Sequence, residues 1–358
     1  MSSPKTTSAA SPPSAKSSDN NKAAQALSKD DADIVKRLRE ARQRVKDEMA
    51  KVVIGQDEIV DHMLIGLLCR GHVLLHGVPG LGKTLMGRTL ARTLEMDFKR
   101  IQFTPDLMPS DITGTDVMEE DNATGKHTLQ FLPGPIFTNF LLADEINRTP
   151  PKTQAALLQA MQEREVSVGT QTFELKPPFF VMATQNPIEM EGTYPLPEAQ
   201  VDRFMFNLRV KYPTVDEEVQ IIKGTTSTLT AEANKVMAAE EVIRLQDLVR
   251  GVPIADSVVR YVARLVSHSR PGQVAEDKAI HKYISYGASP RASQYLVLGA
   301  KARAILSGKY HVDFADIKAI AHPVLRHRLV LNFHARADNV DSDTLVDRIL
   351  KAVPNEER

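Results

Sequence analysis

The sequence contains no tryptophan and only one cysteine, and aromatic residues make up 5% of its 358 residues. So few aromatic side chains argue against stacking platforms for single-stranded nucleic acid or sugars. The single cysteine, Cys69, can form neither a disulfide framework nor a cysteine-based metal site, and it indicates a reducing compartment. Because Cys69 ends an apolar stretch at 64–69, we interpret it as a buried, unreactive thiol.

Neither sign of charge prevails, and long apolar runs are missing. The 45 Lys and Arg residues balance 45 Asp and Glu residues, so the formal net charge is zero. A general nucleic-acid binder needs a basic face, so the balance argues against nucleic acid as a partner, although it allows a local basic patch. No run approaches the roughly 20 apolar residues that span a bilayer, and the first residues lack an apolar signal segment. We therefore expect a cytoplasmic protein without a membrane span.

The composition changes along the chain in a way that predicts a tail and two domains. Residues 1–30 are rich in Ser, Ala and Pro and contain no Val, Ile, Phe or Tyr. Nothing there offsets the entropy of ordering, so we expect residues 1–32 to be a disordered tail. Strand-like and helical patterns alternate between 33 and 213, whereas residues 230–358 show helical patterns only. We predict an α/β core at 33–213, a linker at 214–229 and a smaller all-α lid at 230–358.

The predicted core is built on a parallel sheet. Its strand-like runs are apolar on both faces, which is typical of a parallel sheet covered by helices on two sides. The predicted strands are 72–76, 97–103, 140–143 and 178–184, and the helices between them are 84–94 and 152–163. Segment 113–131 has a polar turn (119–126) between semi-apolar flanks, and segment 165–175 alternates in polarity around a glycine. We predict that each forms a β-hairpin projecting from the core.

A complete phosphate-binding motif follows the first predicted strand. It fits G-x-x-x-x-G-K-[ST] in full and consists of Gly77, Val78, Pro79, Gly80, Leu81, Gly82, Lys83 and Thr84. Glycines let backbone N–H groups turn inward around phosphate oxygens, and the positive end of the following helix favours the same anion. We expect Lys83 to reach the terminal phosphates and Thr84 to offer its hydroxyl to Mg²⁺. Leu85 completes the segment that we assign to nucleotide binding.

Polar side chains follow two later strands of the predicted sheet. Asp144 and Glu145 end the apolar run at 140–143. After a complete phosphate loop, such a pair is expected to hold Mg²⁺ through Asp144, while Glu145 accepts a proton from the attacking water or orients it. Asn186 follows the run at 178–184. Its amide can orient the water or contact the γ-phosphate, but Asn before Pro is also ordinary turn chemistry.

Taken in order, these motifs and the helical region after them resemble the AAA+ ATPase superfamily. More narrowly, they resemble the MoxR family in its helix-2-insert clade. The segments that carry the resemblance are VIGQ at 53–56, GVPGLGKT at 77–84, RIQFTPDLMPSDIT at 100–113, ADEINRTPPK at 143–152, ATQNPIEMEGTYPLPEAQVDRF at 183–204 and GASPRA at 287–292. The resemblance covers about residues 35–345, and it implies a P-loop ATPase core followed by a helical lid.

The resemblance implies roles for three further polar residues. Asn186 matches the family's first sensor of the γ-phosphate, and Arg291 matches the second. Arg291 would stand one residue into a helix capped by Ser289 and opened by proline, which would aim its guanidinium at the γ-phosphate. Arg203 matches the arginine finger, which acts in the neighbouring subunit's site. Such a finger implies a ring, and the family suggests a hexamer.

Several assignments keep an alternative open. Arg203 could instead be a surface arginine paired with Asp202, with Arg148 and Arg209 as competing fingers. Val53 and Ile54 match the segment that packs on adenine, or they form a simple interhelix turn. Gln102, at a strand end near the site, is a candidate for coupling partner binding to Glu145.

Two larger features also have alternatives. The two hairpins correspond to the helix-2 and pre-sensor-1 inserts of the clade, or they are exposed decorations. The basic run at 322–336 could contact a neighbour or nucleic acid, but we interpret it as a lid element with a solvated basic face.

We therefore predict a Mg²⁺-dependent ATPase that works as a ring and binds ATP between core and lid. The resemblance implies a chaperone-like role in maturing or activating other proteins, with partners that carry a von Willebrand factor A-like domain. Three alternatives are a nucleic-acid motor, a metal-chelatase motor subunit and a nucleotide-gated assembly switch with little turnover. Stimulation by DNA would favour the first, and steady-state phosphate release would exclude the last.

Overall fold

The computed structural model of this chain describes residues 29–120, 127–188, 192–227, 231–272 and 278–355. Most of the predicted tail (1–28) and the turn of the first hairpin (121–126) lie outside these residues. Two helices come first, α1 (Lys29–Ala50) and α2 (Asp57–Leu68). Helix α1 begins at Lys29, four residues before the predicted start of the core.

The elements of the α/β region follow in sequence. They are β1 (Val73–His76), α3 (Lys83–Thr93), β2 (Phe98–Gln102), α4 (Pro109–Thr113), β3 (Gly114–Glu120), β4 (His127–Pro133), β5 (Phe140–Asp144), a 3-10 turn (Ile146–Arg148), α5 (Pro151–Glu163), β6 (Glu165–Val168), β7 (Gln171–Glu174), β8 (Phe180–Gln185), α6 (Glu198–Val201) and β9 (Phe206–Arg209).

The remaining elements are mostly helical. They are α7 (Val215–Thr226), α8 (Ala239–Gly251), α9 (Asp256–His268), α10 (Lys278–His281), β10 (Ile284–Tyr286), α11 (Pro290–Leu306), α12 (Phe314–Leu325), β11 (Val330–Leu331), α13 (Phe333–Ala337) and α14 (Ser342–Ala352).

Five parallel strands form the central sheet, in the order β2-β5-β8-β1-β9. Four of them are the predicted strands, and the parallel direction is confirmed. Strand β9 was missed, because Asn207 and Arg209 interrupt its short apolar run and leave no clear strand pattern. Its parallel pairing with β1 adds a fifth strand at the sheet edge.

Both faces of the sheet are covered, as the apolar strands predicted. In β5, Phe140 and Leu142 belong to one hydrophobic cluster, and Leu141 and Ala143 belong to a second one. Successive side chains of a strand point to opposite faces, so each cluster is the core on one side of the sheet. The buried thiol of Cys69 lies in the first cluster, and burial raises its pKa, as expected for an unreactive cysteine.

The two predicted hairpins are present and touch each other. Strands β3 and β4 pair antiparallel, as do β6 and β7. The ring of Phe131 stacks on that of Phe173, with 4.1 Å between centroids, and so joins the two hairpins near their bases. Farther out, Met118 and Leu129 face each other across β3 and β4 and are 69% and 74% exposed.

The lid is helical, but not entirely. Within 230–358, the predicted helical pattern corresponds to α8, α9, α11, α12 and α14, with the short helices α10 and α13 between them. The expectation that strands are absent there was wrong, because β10 and β11 form an antiparallel ribbon in which Ile284 pairs with Leu331. Strands of two or three residues are too short to produce a recognisable alternation. Within the described ranges, no helix combines the length and apolarity needed to cross a bilayer.

Replacing Phe140 with alanine should destabilise the core strongly. The Phe140 ring is fully buried, and its centroid lies 5.1 Å from that of Phe180 and 5.7 Å from that of Phe98. Truncation would leave a cavity between them and lower the free energy of unfolding by about 3–5 kcal/mol. Denaturant unfolding measures this, with the exposed Leu129→Ala as the control. Equal effects of the two variants would contradict this packing.

Candidate nucleotide-binding and hydrolysis site

The phosphate motif forms the loop between β1 and α3, as predicted. Gly80 and Gly82 have φ values of +85° and +72°, and no described residue beyond their immediate neighbours in the chain comes within 4 Å of where their Cβ atoms would stand. The backbone conformation therefore requires glycine there, and the loop opens onto free space. Gly82 is the N-cap of α3, and glycine has no side chain with which to cap the helix. The first N–H groups of the helix are thus available to an anion.

Lys83 folds back onto the start of the phosphate loop. Its ammonium donates to the backbone oxygen of Gly77, at the start of the loop. Partial burial lowers the pKa of Lys83, and the carboxylates of Asp144 and Glu145 oppose that shift. Next to it, Thr84 is half-buried, whereas Leu85 is 42% exposed. A cation held by a carbonyl in an open loop suits a phosphate ligand.

Asp144 and Glu145 are tied together by a threonine from the neighbouring strand. The Thr184 hydroxyl donates to Oδ1 of Asp144 at 2.6 Å and accepts from the Glu145 N–H at 2.8 Å. The other oxygen of Asp144 accepts from Nε and Nη2 of Arg100 at 3.1 and 2.7 Å. Glu145 has a φ of +57°, which is uncommon for a residue with a side chain. Contacts on both sides therefore fix the direction of the Asp144 carboxylate, and Thr184 also fixes the backbone of Glu145.

The carboxylate of Glu145 has two donors of its own. Its Oε2 accepts from Nε2 of Gln102 at 2.9 Å and from Nη1 of Arg148 at 3.0 Å. The Gln102 side-chain oxygen in turn accepts from Nη2 of Arg100 at 2.6 Å. Gln102 therefore contacts the expected base directly. Arg148, considered above as a competing finger, contacts Glu145 of its own chain.

Asn186 presents an unpaired donor at the end of β8. Its side chain is 5% exposed, and its Oδ1 accepts from the Ile188 N–H at 3.1 Å. Because that contact requires an oxygen, the amide nitrogen is the other atom, and among the described residues it has no hydrogen-bond partner. A buried unpaired N–H is costly and suits a ligand oxygen. The arrangement fits contact with a γ-phosphate or an attacking water.

The segment assigned to adenine lies beside the phosphate loop. Val53 and Ile54 are half-buried between α1 and α2. The neighbouring Gln56 donates through Nε2 to the Lys211 backbone oxygen at 3.3 Å, just after β9. One residue earlier, Val210 packs so closely on the loop that a Cβ on Gly77 would come within 2.8 Å of it. These contacts bring the turn and the phosphate loop to the same segment after β9, and the adenine role of Val53 and Ile54 stays a prediction.

Arg203 and Arg291 are grouped together and away from the phosphate loop. Arg203 precedes β9, at the strand end opposite the one from which the loop leaves β1, and its Nη1 donates to the Leu158 backbone oxygen at 2.8 Å. Arg291 pairs through Nη1 with Asp202 at 3.2 Å. Asp202 therefore pairs with Arg291 rather than with Arg203, and the structure does not bring Arg291 to the loop.

Two other expectations about this region need correction. Ser289 is the N-cap residue of α11, but its hydroxyl donates to the Asp202 carboxylate at 3.1–3.2 Å and does not cap the helix. The basic run at 322–336 is solvated only in part: Arg328 is 5% exposed and pairs with Asp202 at 2.7 Å, whereas His334 and Arg336 are exposed. A lid–core contact of this kind gives no signal in a local sequence pattern. Arg209, the other competing finger, pairs with Asp343 at 2.7 Å.

Sequence reasoning also missed Thr184 and Arg100 as site residues. Both belong to segments that carry the resemblance, but neither has a fixed offset from the phosphate loop. Their importance comes from strand pairing, because β2 and β8 flank β5 on either side. A polar residue at the end of each apolar strand is the signal that could have found Thr184.

Known proteins share the sequence pattern and the fold of this chain. The family model described as "ATPase family associated with various cellular activities (AAA)" matches residues 72–206, and the AAA lid domain matches residues 276–349. A candidate ATPase of Cytophaga hutchinsonii of known crystal structure is 41% identical, with a TM-score of 0.83 over 91% of this chain and 98% of that one. The fold and site therefore define an AAA+ ATPase, with a parallel-sheet core and a helical lid.

Proteins related in sequence identify the family within this class of ATPases. The chain is 44% identical to the chaperone MoxR1 of Mycobacterium tuberculosis over 86% of its own length and 80% of that protein. It is 33% identical to the protein MoxR of Paracoccus denitrificans over 78% and 86% of the two lengths. The chain belongs to the MoxR family of AAA+ ATPases.

Replacing Thr184 with valine should impair hydrolysis more than folding. Valine keeps the shape but removes the hydroxyl that bridges Asp144 and the Glu145 N–H, so both groups lose their shared contact. We expect phosphate release to fall about tenfold or more, and the free energy of unfolding to fall by about 1–3 kcal/mol. Steady-state phosphate release and denaturant unfolding measure the two effects. The exposed Thr172→Val is the matched control, and wild-type turnover in Thr184→Val would contradict the bridging role.

Proposed function

We propose that this AAA+ ATPase hydrolyses ATP with Mg²⁺ at the phosphate loop and uses the energy to remodel, mature or activate partner proteins. The observation that carries the proposal is the set of polar groups at one edge of the sheet. Lys83, Asp144, Glu145 and Asn186 all follow or end strands at that edge, and the donor of Asn186 has no partner in the part of the chain that the structure describes. Parallel strands place their carboxyl ends at a common edge, where ligands of α/β proteins bind.

Each residue has a distinct task in this proposal. The loop N–H groups and Lys83 would bind the phosphates, and Thr84 and Asp144 would hold Mg²⁺. When bound, Mg²⁺ supplies positive charge that stabilises the transferred phosphoryl group. Glu145 takes the proton of the attacking water, and its carboxylate is held for this by Gln102 and Arg148.

The asparagine and the two arginines complete the proposed site. Asn186 donates to the water or to the γ-phosphate. AAA+ ATPases generally assemble as rings, and we propose a hexamer here. The position of Arg203, away from its own phosphate loop, favours a role in the neighbouring subunit's site. For Arg291 to act on a γ-phosphate, its pair with Asp202 must first be released.

The partner is proposed to be a protein. MoxR1 is named as a chaperone, and the two hairpins offer exposed apolar side chains such as Met118 and Leu129 for contact with a partner. A partner domain of the von Willebrand factor A type and a cytoplasmic location belong to the same proposal. The nucleic-acid alternative loses support, because Arg328 of the basic run is buried against the core.

Replacing Glu145 with glutamine should separate nucleotide binding from hydrolysis. Glutamine keeps the size of the side chain but cannot accept the proton of the water. We expect nucleotide affinity to stay within about threefold and turnover to fall by about 10²–10⁴-fold. Fluorescent nucleotide titration and steady-state phosphate release provide the two measurements.

The exposed Glu174→Gln is the matched control for this change. It should bind and hydrolyse ATP like the wild type. If Glu145→Gln also turned over ATP at the wild-type rate, Glu145 would not be the base. A purified wild-type protein that released no phosphate would favour the assembly-switch alternative instead.

A further inference from the structure

The turn that carries Arg203 is held by the lid. Residues 202–205 join α6 to β9, and the side chains that fix them come from α11 and from the segment after α12. Arg328, His327 and Tyr295 all bind backbone oxygens of this turn. The core holds the backbone of this turn through backbone contacts: the Met205 N–H donates to the His72 oxygen at 2.8 Å, and the N–H groups of residues 202–204 donate to oxygens of the preceding helix α6 at 2.9–3.2 Å.

Every N–H group of Arg328 donates a hydrogen bond, and most of these bonds end on the turn at 202–205. Nε donates to the Asp202 carboxylate at 2.7 Å, and Nη2 donates to the backbone oxygens of Asp202 and Phe204 at 2.9 and 2.6 Å. Nη1 donates to the Met205 oxygen at 3.2 Å and to the Val324 oxygen. A guanidinium has five N–H groups. All five are paired, and four of the bonds end on residues 202–205.

The site is built for a guanidinium rather than for any cation. Burial lowers the pKa of Arg328, and the Asp202 carboxylate opposes that shift by favouring the charged form. The Tyr295 ring centroid lies 5.1 Å from Cζ of Arg328, within the range of a cation–π contact. The Tyr295 hydroxyl donates to the backbone oxygen of Arg203 itself at 3.2 Å. A lysine would supply three donors from one point and could not reach these acceptors together.

We propose that Arg328, supported by Tyr295, is a positioning residue that couples the lid of each subunit to the arginine it presents to its neighbour. The lid sets the backbone of residues 202–205 and therefore the place from which the Arg203 side chain projects. A lid that shifts on the core moves Arg203 or releases it. The arginine supplied to a neighbouring site thus depends on the lid of the subunit that donates it. This inference rests on the proposed role of Arg203 in the neighbouring site.

Mixed rings can test the inference directly. The recipient is Arg203→Ala, which keeps Glu145 but supplies no arginine. The donor is Glu145→Gln, which supplies Arg203 but cannot hydrolyse ATP. Each is inactive alone, and their mixture regains phosphate release if Arg203 acts on the neighbouring site. A donor that also carries Arg328→Met should restore at least tenfold less phosphate release, because its turn at 202–205 is no longer held.

Two tyrosine variants of the donor keep the test decisive. Tyr295→Phe removes only the hydroxyl that binds the Arg203 oxygen, and it should lower restoration several-fold. Tyr283→Phe removes a hydroxyl that binds Asp338 elsewhere in the lid, at 3.0 Å, and it should restore activity like the simple donor. Binding of a fluorescent ATP analogue and co-purification with tagged recipient show that each donor folds and assembles. If the Arg328→Met donor does not bind the analogue or does not co-purify with the recipient, the test of the coupling rests on the Tyr295→Phe donor.

The outcomes separate this inference from the proposal beneath it. If the simple donor does not restore activity to the recipient, the role of Arg203 in the neighbouring site is wrong, and the coupling falls with it. If the simple donor restores activity and an assembled Arg328→Met donor restores it equally, only the coupling is wrong. If only the Tyr295→Phe donor can be assessed, and it restores phosphate release as well as the simple donor does, the coupling is likewise wrong. A selective loss in these donors, with Tyr283→Phe unaffected, supports the coupling.

Discussion

The parallel direction of β1, β5 and β8 is the constraint on which the site depends. It brings the phosphate loop, the Asp144–Glu145 pair and Asn186 to one edge of the sheet, although more than a hundred residues separate the first from the last in the chain. The Thr184 hydroxyl then ties β8 to β5 at that edge. Without this parallel arrangement, the same residues would lie far apart in ordinary turns.

A second polar cluster joins the lid to the core just before β9, at the edge of the sheet opposite the phosphate loop. Asp202 accepts from Ser289, Arg291 and Arg328, so one carboxylate gathers three lid side chains. Its chain neighbour, Arg203, points to α5 through the Leu158 oxygen. The sheet edge that carries the phosphate loop and the surface that carries Arg203 are therefore separate. Two separate functional surfaces on one subunit suit an assembly in which sites form between copies.

The sequence was most informative where a motif has a fixed local cause. Gly80 and Gly82 need positive φ values, and apolar runs buried on both faces require a covered parallel sheet, so the loop and four strands were predictable. Strand β9 and the β10–β11 ribbon were not, because short or mixed-polarity strands lack periodicity. Arg328 reads as one more cation in a basic run, and only tertiary packing shows that it is buried on Asp202. Contacts between distant elements leave no local pattern.

The most direct test of the account is whether nucleotide binding depends on Lys83. Titration of wild type and Lys83→Ala with a fluorescent ATP analogue in the presence of Mg²⁺ gives both affinities, and Lys152→Ala, an exposed lysine of α5, is the control. The account predicts saturable binding by wild type and Lys152→Ala, and loss of binding by at least a hundredfold in Lys83→Ala. Equal affinity of Lys83→Ala and wild type would place the nucleotide elsewhere and contradict it.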